Sequence, residues 1–201
     1  ENGDGYHERM AKLLLLAPSD AKRLVLKVDF VRQHHMTCAP ACITMVSNYW
    51  GQAVDHEAVV REICYDGTED HKERRWALDH GFHVREFSLT WNAATSLIDR
   101  GAPFFLNTQE TASAHLQIVV GYDQAAHLLL IRDPYTKKIG EFQFDALEER
   151  YKHNGPRSMV IVPIAKASLL DGLDLLDEAL YGYRYALRSA LAVHRRNDAE
   201  A

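Results

Sequence analysis

The feature that most constrains this chain is a change of hydrophobic period part-way along it. Up to about residue 81 the apolar residues recur at helical spacing. Cys42, Ile43, Val46, Tyr49 and Trp50 define a buried helix from Pro40 to Trp50, with Gly51 as its stop. Val59, Val60 and Ile63 repeat the pattern from His56 to Cys64, and a further helix over 71–80 ends at Gly81. After Gly81 strands take over. Residues 83–88 alternate, Thr90 caps a helix over 91–100, and Gly101 with Pro103 opens an apolar strand to Leu106. Strands are then expected over 116–122, 128–132, 139–144 and 157–164, with Asp145 capping a short helix through Tyr151. Helices first and antiparallel strands second argue for an α+β architecture rather than a doubly wound parallel sheet. The expected arrangement is two layers, the helix of residues 40–50 packed on the sheet.

Three segments follow from this pattern: an N-terminal piece over 1–20, a body over 21–164 that carries the chemistry, and a C-terminal helical stretch over 165–201. In the last, Leu, Ala and Tyr recur at helical spacing, with breaks expected near Gly172 and Gly182 and a polar end from Arg195. Ala179 to Tyr183, followed by Ala186 and Ala190, has the look of the start of a tetratricopeptide-type repeat, which points to an adjoining helical-repeat domain. The formal net charge of −5 supplies no basic field for a phosphate backbone, so nucleic acid is not an expected partner. The apolar run Leu13 to Ala17 is far too short to span a bilayer, so no membrane insertion is expected. An odd set of three cysteines, Cys38, Cys42 and Cys64, leaves at least one free thiol and leans towards a reducing, cytoplasmic setting.

Two stretches carry the chemistry. In Gln33-His34-His35-Met36-Thr37-Cys38-Ala39-Pro40-Ala41-Cys42 a cysteine stands immediately before a strong helix start, with Pro40 in the first turn, where its missing N–H costs nothing. The unpaired N–H groups and the dipole at such an end favour a thiolate, the form that attacks carbonyls. The second stretch runs from His115 to Asp123 and continues from Leu128 to Asp133-Pro134, which reads as a hairpin. A tight turn centred on Gln124 and Ala125 would set residue 115 opposite 133 or 134, bringing His115 and Asp133 together at the open end. A carboxylate there can fix the imidazole tautomer and leave the other ring nitrogen facing a thiol.

Taken together these residues resemble the papain-like cysteine peptidases, specifically the bacteriocin-leader (double-glycine) peptidase domains of ABC exporters and their stand-alone relatives. The corresponding positions are Gln33, Cys38, Pro40, Ala41, Met45, Val46, Tyr49 and Gly51, then His115, Gly121, Tyr122 and the Asp133-Pro134 pair. The resemblance implies a papain-like fold and hydrolysis of a peptide or protein substrate through Cys38, His115 and Asp133. It also implies that Gln33 helps form the oxyanion hole. Two positions depart from the pattern: Ala39 stands where the family usually has Gly, and Gln33 sits one residue closer to Cys38 than is usual in papain-type enzymes. Both favour a second reading, a peptidase-like module that binds peptide without cutting it. A third is a transpeptidase that passes the acyl group to an amine, as in the similarly folded phytochelatin synthase.

No metal and no cofactor are expected, since the spacing of His34, His35, Cys38 and Cys42 follows no structural-zinc pattern. Cys42 and Cys64 are expected in the core. Asp123, at the hairpin turn, is expected to lie away from His115. His71, His80 and His83 and the charge run Glu69 to Arg75 are expected on solvated surface, and Trp50, Trp76 and Trp91 as core anchors, with Trp91 also placed to line a cleft.

Overall fold

The structure, a computed structural model, describes residues 20–110, 113–153 and 155–200 together with positions 8, 11, 12, 15 and 16, with side chains as far as Arg195. Leu13, Leu14 and Ala17 of the early apolar run, and Ala201 at the polar end, lie outside the described residues. Strand β1 (Arg23–Val25) precedes three helices, α1 (Cys38–Tyr49), α2 (His56–Ile63) and α3 (Asp70–Asp79). Then come β2 (Phe82–Ser88), α4 (Trp91–Asp99), β3 (Phe104–Gln109), β4 (Ala114–Asp123), β5 (Leu128–Arg132) and β6 (Ile139–Gln143). Helix α5 (Phe144–Tyr151), β7 (Arg157–Pro163), a 3-10 segment (Ile164–Leu170) and α6 (Glu178–Glu200) complete the order. Helices α2 and α4 start where side chains offer caps, Asp55 accepting from the Ala58 N–H and Thr90 from the Ala93 N–H.

All strand pairs are antiparallel, in the order β2-β7-β3-β4-β5-β6, with β1 added against β4. Strand β4 is the axis of the sheet. It pairs with β5 over its second half, with β3 over Ala114–Val119, and with β1 at Gly121, Tyr122 and Asp123. Gly121 is what lets β1 in: a Cβ there would fall on the carbonyl oxygen of Leu24. β1 was not anticipated from the sequence, since three residues of mixed exposure, Arg23–Val25, carry no period of their own.

The sheet is covered on both faces, so a third layer joins the two expected. Helices α1, α2 and α3 pack through Ile43, Val46, Val59 and Trp76 onto Phe105, Val120, Leu130 and Ile161. On the other face α4 and α5 pack through Leu97, Ile98 and Leu147 onto Phe104, Val119, Leu129 and Val160. Neighbouring residues such as Phe104 and Phe105, or Leu129 and Leu130, thus enter opposite cores. This accounts for central strands that read as continuous apolar runs rather than as an alternation.

Other elements correct the sequence reading. α5 is capped by Gln143, whose side chain accepts from the Ala146 N–H, and Asp145 lies inside the first turn. Gly172, at φ +68°, ends the segment after the 3-10 turn as expected, but α6 runs through Gly182 without a break. Its start is pinned to β2: Arg85 makes a two-pronged ion pair with Glu178, and Ser88 Oγ donates to Asp177 at 2.7 Å. Those contacts outweigh the cost of about 1 kcal/mol for a helical glycine. The run 69–75 is not wholly solvated, because α3 turns Glu73 inward. Arg157 donates to Glu73 at 2.8 Å and to Glu86 at 2.7 Å, and Arg74 also reaches Glu86 at 2.9 Å. Burial lifts Glu73 to about 7 against the pull of Arg157. His71 is also largely covered, its side chain 10% exposed. Trp91 packs edge-on against Tyr122, His127 and Phe144.

Candidate active site

Helix α1 is buried from Ala39 through Ser47, so its position is fixed by packing all round. One contact sets how it meets the sheet: the Cys42 thiol donates to the Leu116 carbonyl at 3.3 Å. Cys38 lies one turn earlier on the same helix face, and His115 is the neighbour of Leu116 on β4. Docking Cys42 therefore brings Cys38 beside the His115 imidazole, and the two line one cavity. Cys42 itself is completely buried, and burial together with the Cys38, Asp133 and Glu73 charges holds its thiol well above the ordinary value. It remains a thiol and packs in the core as expected. Cys64 does not; it is half-buried, and its thiol donates to the Met36 carbonyl at 3.4 Å.

The His115 ring engages Asp133 through Nε2, 3.1 Å from Oδ2, which leaves Nδ1 for Cys38. The hydrogen bond to Asp133, then that to Cys38, raise His115 to about 9, although burial works against its charge. The imidazole is thus held as the cation at neutral pH. Asp133 is also fastened by the Gln117 amide to Oδ2 at 2.7 Å and by the Tyr135 N–H to Oδ1 at 2.7 Å. Burial opposes its charge, but the bonds from His115, Tyr135 and Gln117 outweigh it and hold the carboxyl below its ordinary value.

His115 and Asp133 meet, but not by the expected register. The β4–β5 connection is wider than a tight turn, His127 adopts φ +51°, and the pairing slips between Val119 and Gly121. The ladder ends at Ile118 opposite Arg132; continued, it brings Gln117 rather than His115 level with Asp133. His115, two residues earlier on the same strand face, reaches the carboxylate diagonally. Gln117 is the site residue that sequence reasoning passed over, and its place two residues after His115 was the available signal. Asp123 lies at the other end of β4 and is bonded to Arg23.

The segment before Cys38 closes within its short span. Met36 takes the left-handed φ of +58°, and the Thr37 hydroxyl accepts from the His34 N–H at 2.8 Å. The Gln33 N–H donates to the Pro134 carbonyl at 2.9 Å, so this loop is tied to the strand end that carries Asp133. Gln33 and Cys38 line the same cavity, together with His115. The Gln33 side-chain amide has only a long contact of 3.5 Å to the His34 carbonyl, and its Oε1 is buried without a donor. Ala39 sits within α1, is 2% exposed, and takes no positive φ, so its Cβ is accommodated without backbone strain. His35 lines the cavity but Cys42 does not, and the His and Cys residues of this stretch form no joint ligand set. Among the described residues, His34, His56 and Glu57 do bring ligand atoms within 4.8 Å of one another, at the surface of α2. No helix among the described residues is long and apolar enough to cross a membrane.

Chemically, the site consists of a thiol at a helix N-terminus, a cationic imidazole, and a carboxylate fixed by three donors. The chain resembles the peptidase domain of Streptococcus ComA, a bifunctional ABC transporter involved in a quorum-sensing pathway. Identity is 18%, the TM-score is 0.53, and the match covers 68% of this chain and 99% of that one. It also resembles a double glycine motif protease from an AMS/PCAT transporter, solved with its leader peptide, at 17% identity and TM-score 0.51, covering 71% and 96%. At such identities the likeness establishes the fold alone. No curated protein is matched. Residues 25–159, by contrast, fit the Peptidase_C39-like family, and on that match, which runs from the last residue of β1 into the start of β7, the chain belongs to this family.

Proposed function

We propose that the chain is a cysteine peptidase whose nucleophile is Cys38, with His115 as general acid and base and Asp133 as the group that orients it. The observation that carries this reading is that Cys38 and His115 line one cavity while the His115 Nε2 is held by the Asp133 carboxylate. The thiolate attacks the amide carbonyl, and the oxyanion is received by the Cys38 N–H, which has no intrahelical acceptor. The Gln33 amide, loosely held at present, supplies the second donor. Imidazolium passes its proton to the leaving amine as the C–N bond breaks, leaving a thioester on Cys38. Neutral His115 then takes a proton from water, hydroxide displaces the thiolate, and the ion pair is restored.

The likeness to a protease solved with its leader peptide supports a peptide as substrate. The binding-module reading drew on Ala39 and on the short span from Gln33. Ala39 is unstrained and the span is closed by Met36, so neither now favours it over hydrolysis. The test is digestion of a peptide library by the native chain and by Cys38→Ala, with intact-mass detection of the acyl-enzyme. Cleavage and a trapped adduct in the native chain alone support the proposal; no cleavage and no adduct would refute it. Adding amine acceptors separates hydrolysis from transfer.

A further inference from the structure

The cavity holding Cys38 and His115 is about 680 Å³ in volume, and one wall comes from the segment between α2 and α3 together with α3 itself. Four carboxylates line it, Asp66, Glu69, Asp70 and Glu73, and no Lys or Arg does. Asp66, Glu69 and Asp70 are exposed there. Asp70 reaches Arg157 only at 3.6 Å, and the partners of Glu69, His71 at 3.5 Å and Lys72 at 3.7 Å, lie on its own side. Behind the wall, Arg74 and Arg157 are engaged by Glu73 and Glu86, so neither cation is turned to the cavity as a free partner for Asp66 or Glu69.

An independent observation concerns hydrogen bonding. Asn107 lines the same cavity and is only 8% exposed. Its NH2 group is turned to Asp70 at 3.4 Å, while its side-chain oxygen is buried with no donor. Gln33 likewise leaves its Oε1 without a donor. Buried polar atoms are ordinarily satisfied. In both the atom left over is an acceptor, and an ammonium or guanidinium group offers donors alone.

Building on the reading of Cys38 as nucleophile, we propose that this wall is a specificity subsite that takes a Lys or Arg side chain of the peptide close to the bond to be cut. Carboxylates in a concave wall focus the field on whatever enters beside Cys38. A cationic side chain gains charge-assisted bonds to Asp70 and Glu69 and supplies the donor that Asn107 lacks, whereas an acidic residue meets like charge.

The charge of the cleft can be read without relying on turnover. Cys38 is modified with methanethiosulfonates of similar size bearing an ammonium, a neutral or a sulfonate group. Modification is located by peptide mapping, and rates are normalised to a free thiol. The imidazolium of His115 biases this series towards the anion, so a preference for the cation has to come from the wall. The ammonium reagent is expected to lead the sulfonate by about tenfold. That ratio should fall at least about threefold in Asp66→Asn/Glu69→Gln/Asp70→Asn, whose positions are exposed and whose fold is checked by circular dichroism. A ratio near one, or one untouched by the triple variant, overturns the subsite. Peptides with Lys, Ala or Glu at each position beside the cleaved bond give the second reading: faster cleavage with Lys at one position is expected, and equal rates with Lys and Glu throughout overturn the proposal. If no peptide is cut while the charge ratio holds, hydrolysis is refuted and the cationic subsite stands.

Discussion

Replacing Asp133 by Asn removes a charge and keeps an oxygen in place, which makes it a sharp probe of what holds the His115 proton. Raising the imidazole from 6.5 to about 9 corresponds to at most about 3.4 kcal/mol in favour of the cation, at about 1.36 kcal/mol per tenfold. The ring is 33% exposed, so solvent screening reduces that ceiling. Asp133 is the largest contributor, ahead of Cys38, with burial opposed to both. Loss of its charge should remove at least half of the shift and bring His115 below about 8. The assay is the pH titration of the His115 ring proton by NMR in the native chain and in Asp133→Asn. An imidazole that titrates alike in both would refute the claim that Asp133 governs its charge.

Further outcomes follow from neighbouring contacts. His115 is raised in the folded state, so its contribution to stability is complete below pH 6.5 and disappears as the pH rises through about 9. The difference in unfolding free energy between the native chain and His115→Gln should shrink by about 1–2 kcal/mol across that window, after discount for its exposure, and kcat/KM should show an alkaline limb near 9. Arg157→Met strands Glu73 without a cation, while Glu86 keeps Arg74, and should cost about 3–5 kcal/mol in urea unfolding at pH 8, with a smaller loss at pH 5, where Glu73 is protonated. Gly121→Ala forces β1 away from β4 and should lower stability by about 2 kcal/mol or more, read as a fall in Tm.

Much of the fold was legible because the period of burial changes along the chain: helices through residue 81, then strands. The Cys38 helix and the His115–Asp133 encounter were legible for a related reason, since a helix start and two apolar runs around a short break each restrict geometry locally. What was missed depended on non-local packing. The two-faced burial of the sheet hid in continuous apolar pairs such as Phe104 and Phe105, which look the same whether one core or two receives them. The slip at Val120 moved the register and put Gln117 at the site, a displacement that no residue type announces. Glu73 reads as part of a solvated run until Arg157, far along the chain, is brought beneath it. Met36 in the left-handed region is likewise invisible in sequence, because most left-handed positions are held by Gly or Asn.

The central claim is that Cys38 and His115 form a thiolate–imidazolium pair. Its most direct test is the rate of Cys38 alkylation by iodoacetamide as a function of pH, followed by intact mass and peptide mapping, in the native chain and in His115→Ala. Rapid alkylation persisting well below the pH range of a free thiol, and lost in His115→Ala, is the result this account requires. Identical profiles in the two proteins, rising only as an ordinary thiol ionises, would contradict it.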